Sequence, residues 1–184
     1  MAGKVFFSVT MSLDGYIGPR SASELMGRQW MELQAWAFPL RFFRENLKLG
    51  EGGEEGRDND IARETFERTG ASVMGKRMFD AGEQGWPEEA PFHTPVYVVT
   101  HERREPWERP GGTTFHFVDD GIEAALERAR EAAGDRDVRI AGGGETILQY
   151  LDAGLVDEFS IALEPVASEA SPRVTHLTYA VRSR

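Results

Sequence analysis

The chain has 184 residues, 40% of them apolar and 28% charged, and it contains no cysteine. This composition predicts a single globular domain over residues 1–184, and the lack of thiols excludes disulfides and zinc–thiolate sites and favours a reducing cytoplasm. The net charge of −10 argues against a nucleic-acid partner, and no apolar run is long enough to span a membrane.

The N-terminal part predicts, in chain order, a strand, a helix, an acidic loop and a second helix: residues 4–18, 23–38, 51–60 and 58–70. The strand alternates apolar and polar side chains and ends in a turn at Asp14-Gly15. The first helix places Leu25, Met26 and other apolar residues near one face, and Pro39 ends or kinks it.

From residue 71 onward, predicted strands and helices alternate. The strands are 71–75, 94–100, 113–118, 137–141 and 156–165, and the helices are 76–82, 119–134 and 144–154. A last strand over 173–183 alternates in polarity, as an antiparallel strand near a sheet edge does. The pattern predicts the α/β class, with a mixed, mostly parallel sheet, helices on both faces and an antiparallel C-terminal edge.

Three of the predicted strands are followed by residues that suit phosphate groups, and open α/β sheets bind ligands at the carboxyl ends of their strands. The residues are Gly75, Lys76 and Arg77 after the first, Thr100, His101, Arg103 and Arg104 after the second, and Gly142, Gly143, Gly144, Glu145 and Thr146 after the third. The first and third segments each open a helix, whose N-terminus presents free N–H groups and partial positive charge. Together the segments predict a site for a phosphorylated dinucleotide such as NADPH.

Two common nucleotide motifs do not match. "GASVMGKR" (70–77) is close to a P-loop, but Arg77 stands where that motif needs a hydroxyl for magnesium, so a phosphotransferase is the weakest alternative. Ile147 stands where a G-x-G-x-x-G fingerprint needs its third glycine. The four histidines lack metal-ligand spacing, so the sequence predicts no metal site.

Five stretches in chain order resemble the dihydrofolate reductase superfamily, and most closely the C-terminal reductase domain of riboflavin biosynthesis. They are "VTMSLDGYIG", "VMGKRMFD", "VYVVTHERR", "IAGGGETILQYLDAGLVDEFSI" and "SPRVTHLTYAVR", which together run along almost the whole chain. The resemblance implies a dihydrofolate reductase-like sheet, NADPH bound across the strand ends, and a homodimer.

By position, the resemblance also implies roles for individual residues. Gly75, Lys76 and Arg77 would flank the phosphates on the adenosine side, and Thr100, His101 and Arg103 would hold the 2′-phosphate and adenine. The pyrophosphate would lie against the third segment, which comprises Ala141, Gly142, Gly143, Gly144, Glu145 and Thr146. The glycines would let the backbone N–H groups approach phosphate where a Cβ would block them.

Asp14 matches the substrate-side acid of the family and is the candidate catalytic residue, while the alternative is that it only forms the Asp-Gly turn. The chain departs from the family pattern at two places. Tyr16 stands where the riboflavin enzymes commonly have lysine, and "LEPVASEASP" alone connects 156–165 to the last strand, where the family has a further strand.

The resemblance therefore implies an NADPH-dependent reductase acting on a small heteroaromatic molecule, pterin-like or pyrimidine-like. Hydride transfer needs little from the protein beyond positioning and a proton source, so a short catalytic set is expected. The alternative function is a non-catalytic NADP-binding or sensor protein on the same fold.

Overall fold

The computed structural model describes residues 3–19, 27–164 and 167–179. In chain order the elements are β1 (Val5–Thr10), α1 (Arg28–Leu33), α2 (Arg41–Asn46), α3 (Arg57–Glu67), β2 (Thr69–Gly75), α4 (Lys76–Glu83), β3 (Pro95–Val99), β4 (Trp107–Arg109), β5 (Thr113–Val118), α5 (Ile122–Ala133), β6 (Asp137–Gly142), α6 (Gly144–Asp152), β7 (Glu158–Ala162), β8 (Ala167–Ala170) and β9 (Thr175–Thr178). Among the described residues, no helix is long and apolar enough to cross a membrane.

A seven-stranded sheet forms the centre of the molecule, with the strand order β4-β5-β3-β2-β6-β1-β7. Neighbouring strands are parallel except for β4, which runs antiparallel to β5. Strands β8 and β9 form a separate antiparallel pair. This architecture confirms the predicted α/β class and places the C-terminal antiparallel pair in a sheet of its own.

Each face of the sheet packs against its own helices, because side chains alternate between the two faces of a strand. On one face, residues such as Val73, Val138 and Ile140 form a core with the apolar positions of α5 and α6. On the other face, Met74, Val96 and neighbours pack around Phe79 of α4 in an aromatic cluster. The apolar runs that the sequence shows are therefore strands covered on both sides.

The ends of the chain differ from the predicted elements. The first strand stops at Thr10, and the predicted helix over 23–38 is represented by α1, while Leu25 and Met26 lie outside the described residues. Strand β8 lies within the segment that was expected to be only a connection, and β9 pairs with β8. The part of the predicted last strand beyond residue 179 also lies outside the described residues.

The parallel arrangement decides where the candidate site lies. The carboxyl ends of parallel strands meet at one edge of a sheet, and β3, β2, β6 and β1 are consecutive neighbours there. The three predicted phosphate segments follow β2, β3 and β6. The loop that carries Asp14 follows β1, so all of the candidate residues share one edge.

Candidate functional site

The three predicted phosphate segments contact one another at the carboxyl edge. Arg77 Nη1 lies 3.7 Å from Glu145 Oε1, which joins the segment after β2 to the segment after β6. Lys76 Nζ lies 3.2 Å from Glu102 Oε2, which joins the segment after β2 to the loop after β3. The fold therefore brings together residues that are up to about seventy positions apart in the sequence.

Two helices begin at this edge, α4 at Lys76 and α6 at Gly144. Their N-cap residues are Gly75 and Gly143, and within the described chain no side chain caps either N-terminus. The first N–H groups of an uncapped helix are available to an anion, and the helix dipole favours negative charge at that end. The two N-termini are thus suited to phosphate oxygens.

Gly75 also has a structural reason to be glycine. A Cβ placed there would lie 2.2 Å from Thr146 Oγ1, so a side chain would collide with α6. Thr146 is itself buried, and Ala141 lies next to Gly142 in β6, packed against the aromatic cluster. These residues therefore contribute to the packing between β2, β6 and α6.

The three consecutive glycines differ in what the fold demands of them. Gly142 has a φ of +139°, and a Cβ there would lie 2.9 Å from Met78 Sδ. Gly143 has a φ of +36°, a left-handed value that favours glycine. Gly144 has no such φ, and its Cβ would make only an ordinary contact, 3.6 Å from Ile17 Cδ1. Folding explains the first two glycines, whereas the fold does not require glycine at position 144, the first residue of α6.

Gly142→Ala is expected to destabilise the protein by about 1–3 kcal/mol, because alanine is strained in this backbone conformation and also meets Met78. Urea unfolding measures the change in the free energy of unfolding. Gly85→Ala is the matched control, since its φ is not left-handed and the nearest atom to a Cβ there is 4.0 Å away. Equal stability of the two variants would contradict the expectation.

The cations at this edge already have carboxylate partners. Lys76 Nζ donates to Asp80 at 2.7 Å, and this hydrogen bond raises the pKa of Lys76. Arg103 donates through Nε to Asp119 at 2.7 Å, and that bond holds the pKa of the Asp119 carboxyl below its usual value. A phosphate group that binds Arg103 must therefore compete with Asp119.

The polar residues of the loop after β3 differ in how exposed they are. Thr100 is buried and its Oγ1 accepts a hydrogen bond from the Glu102 N–H at 3.0 Å, whereas His101 is exposed. The side chain of Arg103 is 91% exposed. Its neighbour Arg104 stacks over Phe117 with its guanidinium carbon 4.8 Å from the ring centroid and donates to Glu83. Arg104 therefore packs on the aromatic cluster, whereas Arg103 is the more exposed of the two arginines.

Asp14 lies in an exposed turn after β1. Its Oδ1 accepts a hydrogen bond from Ser12 Oγ at 2.6 Å, and the Tyr16 N–H donates to Ser12 Oγ at 3.0 Å. The same loop approaches the other segments, because Arg77 Nη2 donates to the Pro19 carbonyl at 3.3 Å. Asp14 thus lies in the loop after β1, at the same edge of the sheet as the three segments, and its carboxyl group accepts a hydrogen bond within the turn.

Two polar residues of the strands that form this edge were not singled out from the sequence. Thr10, the last residue of β1, accepts a hydrogen bond from Trp36 Nε1 at 3.0 Å. Arg139 lies farther from the edge, in the interior strand β6, and its buried Nε has no hydrogen-bond partner among the described residues. Within the described part of the chain, no group of three or more His, Asp or Glu side chains could hold a metal ion.

The sheet order, the helices on both faces and the shared carboxyl edge define an α/β protein with a dihydrofolate reductase-like fold. The chain belongs to the RibD C-terminal domain family, whose model matches residues 3–175. This membership confirms the resemblance found in the sequence and gives the chain a riboflavin-pathway reductase-like fold.

A solved structure shows the same fold. It is the crystal structure of a protein from Shewanella sp. PV-4 that is provisionally named a riboflavin biosynthesis protein. The two chains are 21% identical, the alignment covers 86% of this chain and 75% of that chain, and the TM-score is 0.53. A comparison with curated proteins gives no match.

Proposed function

We propose that the protein is an NADPH-dependent reductase of a small heteroaromatic substrate, pterin-like or pyrimidine-like. The observation that carries the proposal is Gly144, which is the first residue of α6 and which the fold does not require to be glycine. A dinucleotide needs its pyrophosphate close to backbone N–H groups, and a side chain at this position would occupy that space.

The neighbouring residues support the same ligand. The N–H groups of the first turn of α6 would bind the pyrophosphate, and Arg77, which is partly exposed beside Glu145, would add a positive charge. Lys76 and the N-terminus of α4 would bind the phosphates on the adenosine side, and Arg103 with His101 would bind the 2′-phosphate. NADPH supplies the hydride when it is bound, and the protein orients the substrate beside it.

Arg103 is expected to select NADPH over NADH. Arg103→Ala should weaken NADPH binding about tenfold, the low end for a charged hydrogen bond because the side chain is exposed, and leave NADH binding unchanged. Asp119→Asn should do the opposite and tighten NADPH binding, because it removes the carboxylate that competes for Arg103. Fluorescence titration with both cofactors measures these constants. Equal affinity of the unaltered protein for NADPH and NADH would overturn the assignment.

A non-catalytic NADP-binding or sensor protein is the second candidate. It is favoured by the hydrogen bond of Asp14 to Ser12, which gives the candidate acid a purely structural partner. One experiment separates the two functions: NADPH oxidation is followed with a panel of pterins and pyrimidines. Turnover supports the reductase, and NADPH binding without oxidation of any panel member supports the sensor. A lack of NADPH binding contradicts both.

The proposal also covers the oligomeric state of the protein and its location in the cell. We infer a homodimer, which the resemblance to the riboflavin reductases implies, and a cytoplasmic location, which a chain without cysteine favours. Light scattering after size-exclusion chromatography tests the first inference, because a dimer has twice the mass of one chain.

A further inference from the structure

The two edges of the central sheet differ in how well they are protected from further strand pairing. At one edge, β4 has three residues, of which Glu108 and Arg109 are charged. At the other edge, β7 has five residues, and its central residues Phe159, Ser160 and Ile161 are exposed. Edge strands that face water are usually short or charged, because their unpaired N–H and C=O groups can pair with another chain. By this criterion β4 is protected and β7 is not.

The helix-side face of β7 is apolar and open to solvent. Phe159 lies opposite Phe7 of β1, and Ile161 lies opposite Val9. These residues share the face on which α5 and α6 pack, since residues two apart in a strand point the same way. Phe159 stacks on Phe7 with the ring centroids 5.0 Å apart, yet 58% of Phe159 and 40% of Ile161 remain exposed. The core beneath α5 and α6 therefore continues past β1 onto an uncovered strand.

Helix α6 extends this apolar surface through Leu148 and Leu151, which are also exposed. Gly144 lies on the same side of the helix, because positions i, i+4 and i+7 are aligned, and a Cβ there would lie 3.6 Å from Ile17 in the loop after β1. The other flank of α6 faces α5, since Tyr150 Oη donates to a carbonyl oxygen at the start of α5 at 2.6 Å. The two leucines are therefore directed towards β1 and β7.

We define the β7–α6 patch as the four exposed apolar residues Leu148, Leu151, Phe159 and Ile161. Together they expose about as much surface as two whole large side chains, roughly 400 Å², a size at which exposed apolar patches are often functional. A specific dimer buries about 800 Å² on each subunit. The patch supplies about half of that area, and the backbone edge of β7 with its surroundings would supply the rest.

The charges of the protein favour a second copy of this chain as the partner. Because the net charge is −10, two copies repel each other except where their surfaces carry no charge. The patch is uncharged, and the nearby Glu158 carboxylate already pairs with Lys4 and Arg68, at 2.6 Å each. The C-terminal strands of the same chain do not cover the patch, because β8 and β9 pair only with each other. A two-fold axis would place this uncharged surface against itself.

We propose that two copies of the chain associate through the β7–α6 patch, with their β7 strands antiparallel about a two-fold axis at Ser160. This register overlaps the whole of β7 and places Phe159 opposite Ile161 of the partner subunit. It also places Glu158 opposite Ala162 of the partner subunit, so that no like charges meet. The inference rests on the homodimer of the proposed function and adds the surface that forms it. The two candidate sites then lie at opposite edges of one continuous sheet.

Cysteine cross-linking tests the position of the axis. The chain contains no cysteine, so a disulfide in a single-cysteine variant must join two chains. Opposite residues of antiparallel strands have Cα atoms about 4.5–5.5 Å apart, a distance that a disulfide spans. Ser160→Cys is expected to give a covalent dimer on non-reducing gels after mild oxidation, whereas Glu127→Cys, exposed on α5, should remain a single chain. Equal cross-linking of the two variants, or none in Ser160→Cys, overturns the inference.

A charge placed in the patch tests its contribution to the dimer. Leu148→Glu is expected to raise the dissociation constant of the dimer about a hundredfold or more, because the two-fold axis buries the unpaired carboxylate twice. Ile61→Glu is the matched control, since Ile61 is an exposed apolar residue of α3 outside the patch, and it should leave the constant unchanged. Sedimentation equilibrium over a range of protein concentrations measures the constant, and circular dichroism establishes that both variants fold.

The outcomes separate this inference from the rest of the proposed function. A dimer that Leu148→Glu leaves intact has its interface elsewhere, which overturns the inference and leaves the proposed homodimer standing. An unaltered chain that stays monomeric overturns both. NADPH titration of the unaltered chain is made separately, and its failure counts against the proposed reductase alone.

Discussion

Gly144→Ala is expected to weaken NADPH binding ten- to a hundredfold and to leave the protein at least as stable as before. The Cβ has room in the folded chain, where its nearest contact is 3.6 Å from Ile17. In the proposed complex the pyrophosphate lies against the first N–H groups of α6, and the added methyl group would crowd it there. Loss of one charge-assisted hydrogen bond costs about 1.5–3 kcal/mol, which corresponds to this loss of affinity.

Gly144→Ala should therefore lower the affinity for NADPH without lowering the free energy of unfolding. Alanine has a higher helix propensity than glycine, so folding gives no reason for a loss of stability. Gly142→Ala should instead lower stability, and Gly85→Ala should change neither property. The measurements are urea unfolding and NADPH titration on all three variants. If Gly144→Ala binds NADPH like the unaltered protein, the pyrophosphate does not lie at α6 and the proposed site is wrong.

The central sheet could be predicted from the sequence because its strands are apolar and alternate with helices. The run "PVYVV" of β3 is covered on both faces, and such runs are typical of parallel sheets. Parallel strands in turn place their following residues at one edge, which is why Gly75 and Gly142 could be assigned to the same site. By contrast, β4 has three residues and too short a pattern to recognise, and it forms because Trp107 packs against Phe115.

The partners of the charged residues could not be predicted, because they depend on pairs distant in the sequence. Arg103 and Arg104 are adjacent and look equivalent in the sequence. In the structure Arg103 donates to Asp119, whereas Arg104 stacks on Phe117. The difference between Gly142 and Gly144 likewise depends on the positions of Met78 and Ile17 in the fold. The sequence predicted which segments follow the strands of one edge, and the structure shows which of their side chains already have partners within the fold.

Asp14→Asn is expected to lower turnover about 10²-fold or more and to leave NADPH affinity unchanged. This is the usual contribution of a general acid or base. The carboxyl group lies in the loop after β1, which contacts the segment after β2 through Pro19 and Arg77. At that position a carboxyl group can hydrogen-bond a substrate nitrogen and transfer a proton to it, whereas an amide cannot transfer the proton. The assay is NADPH oxidation with the pterin or pyrimidine that the panel identifies.

The hydrogen bond between Ser12 and Asp14 makes this experiment decisive. Asparagine keeps the side-chain oxygen that accepts from Ser12 Oγ, and it suits an Asp-Gly type of turn almost as well as aspartate. Asp14→Asn therefore removes the proton-transfer group and preserves the turn. Ser12→Ala does the reverse, because it removes the hydrogen bond and keeps the carboxyl group. If Asp14 is the acid, Asp14→Asn loses far more turnover than Ser12→Ala. If Asp14 only shapes the turn, Asp14→Asn keeps full activity, and the proton must come from another group.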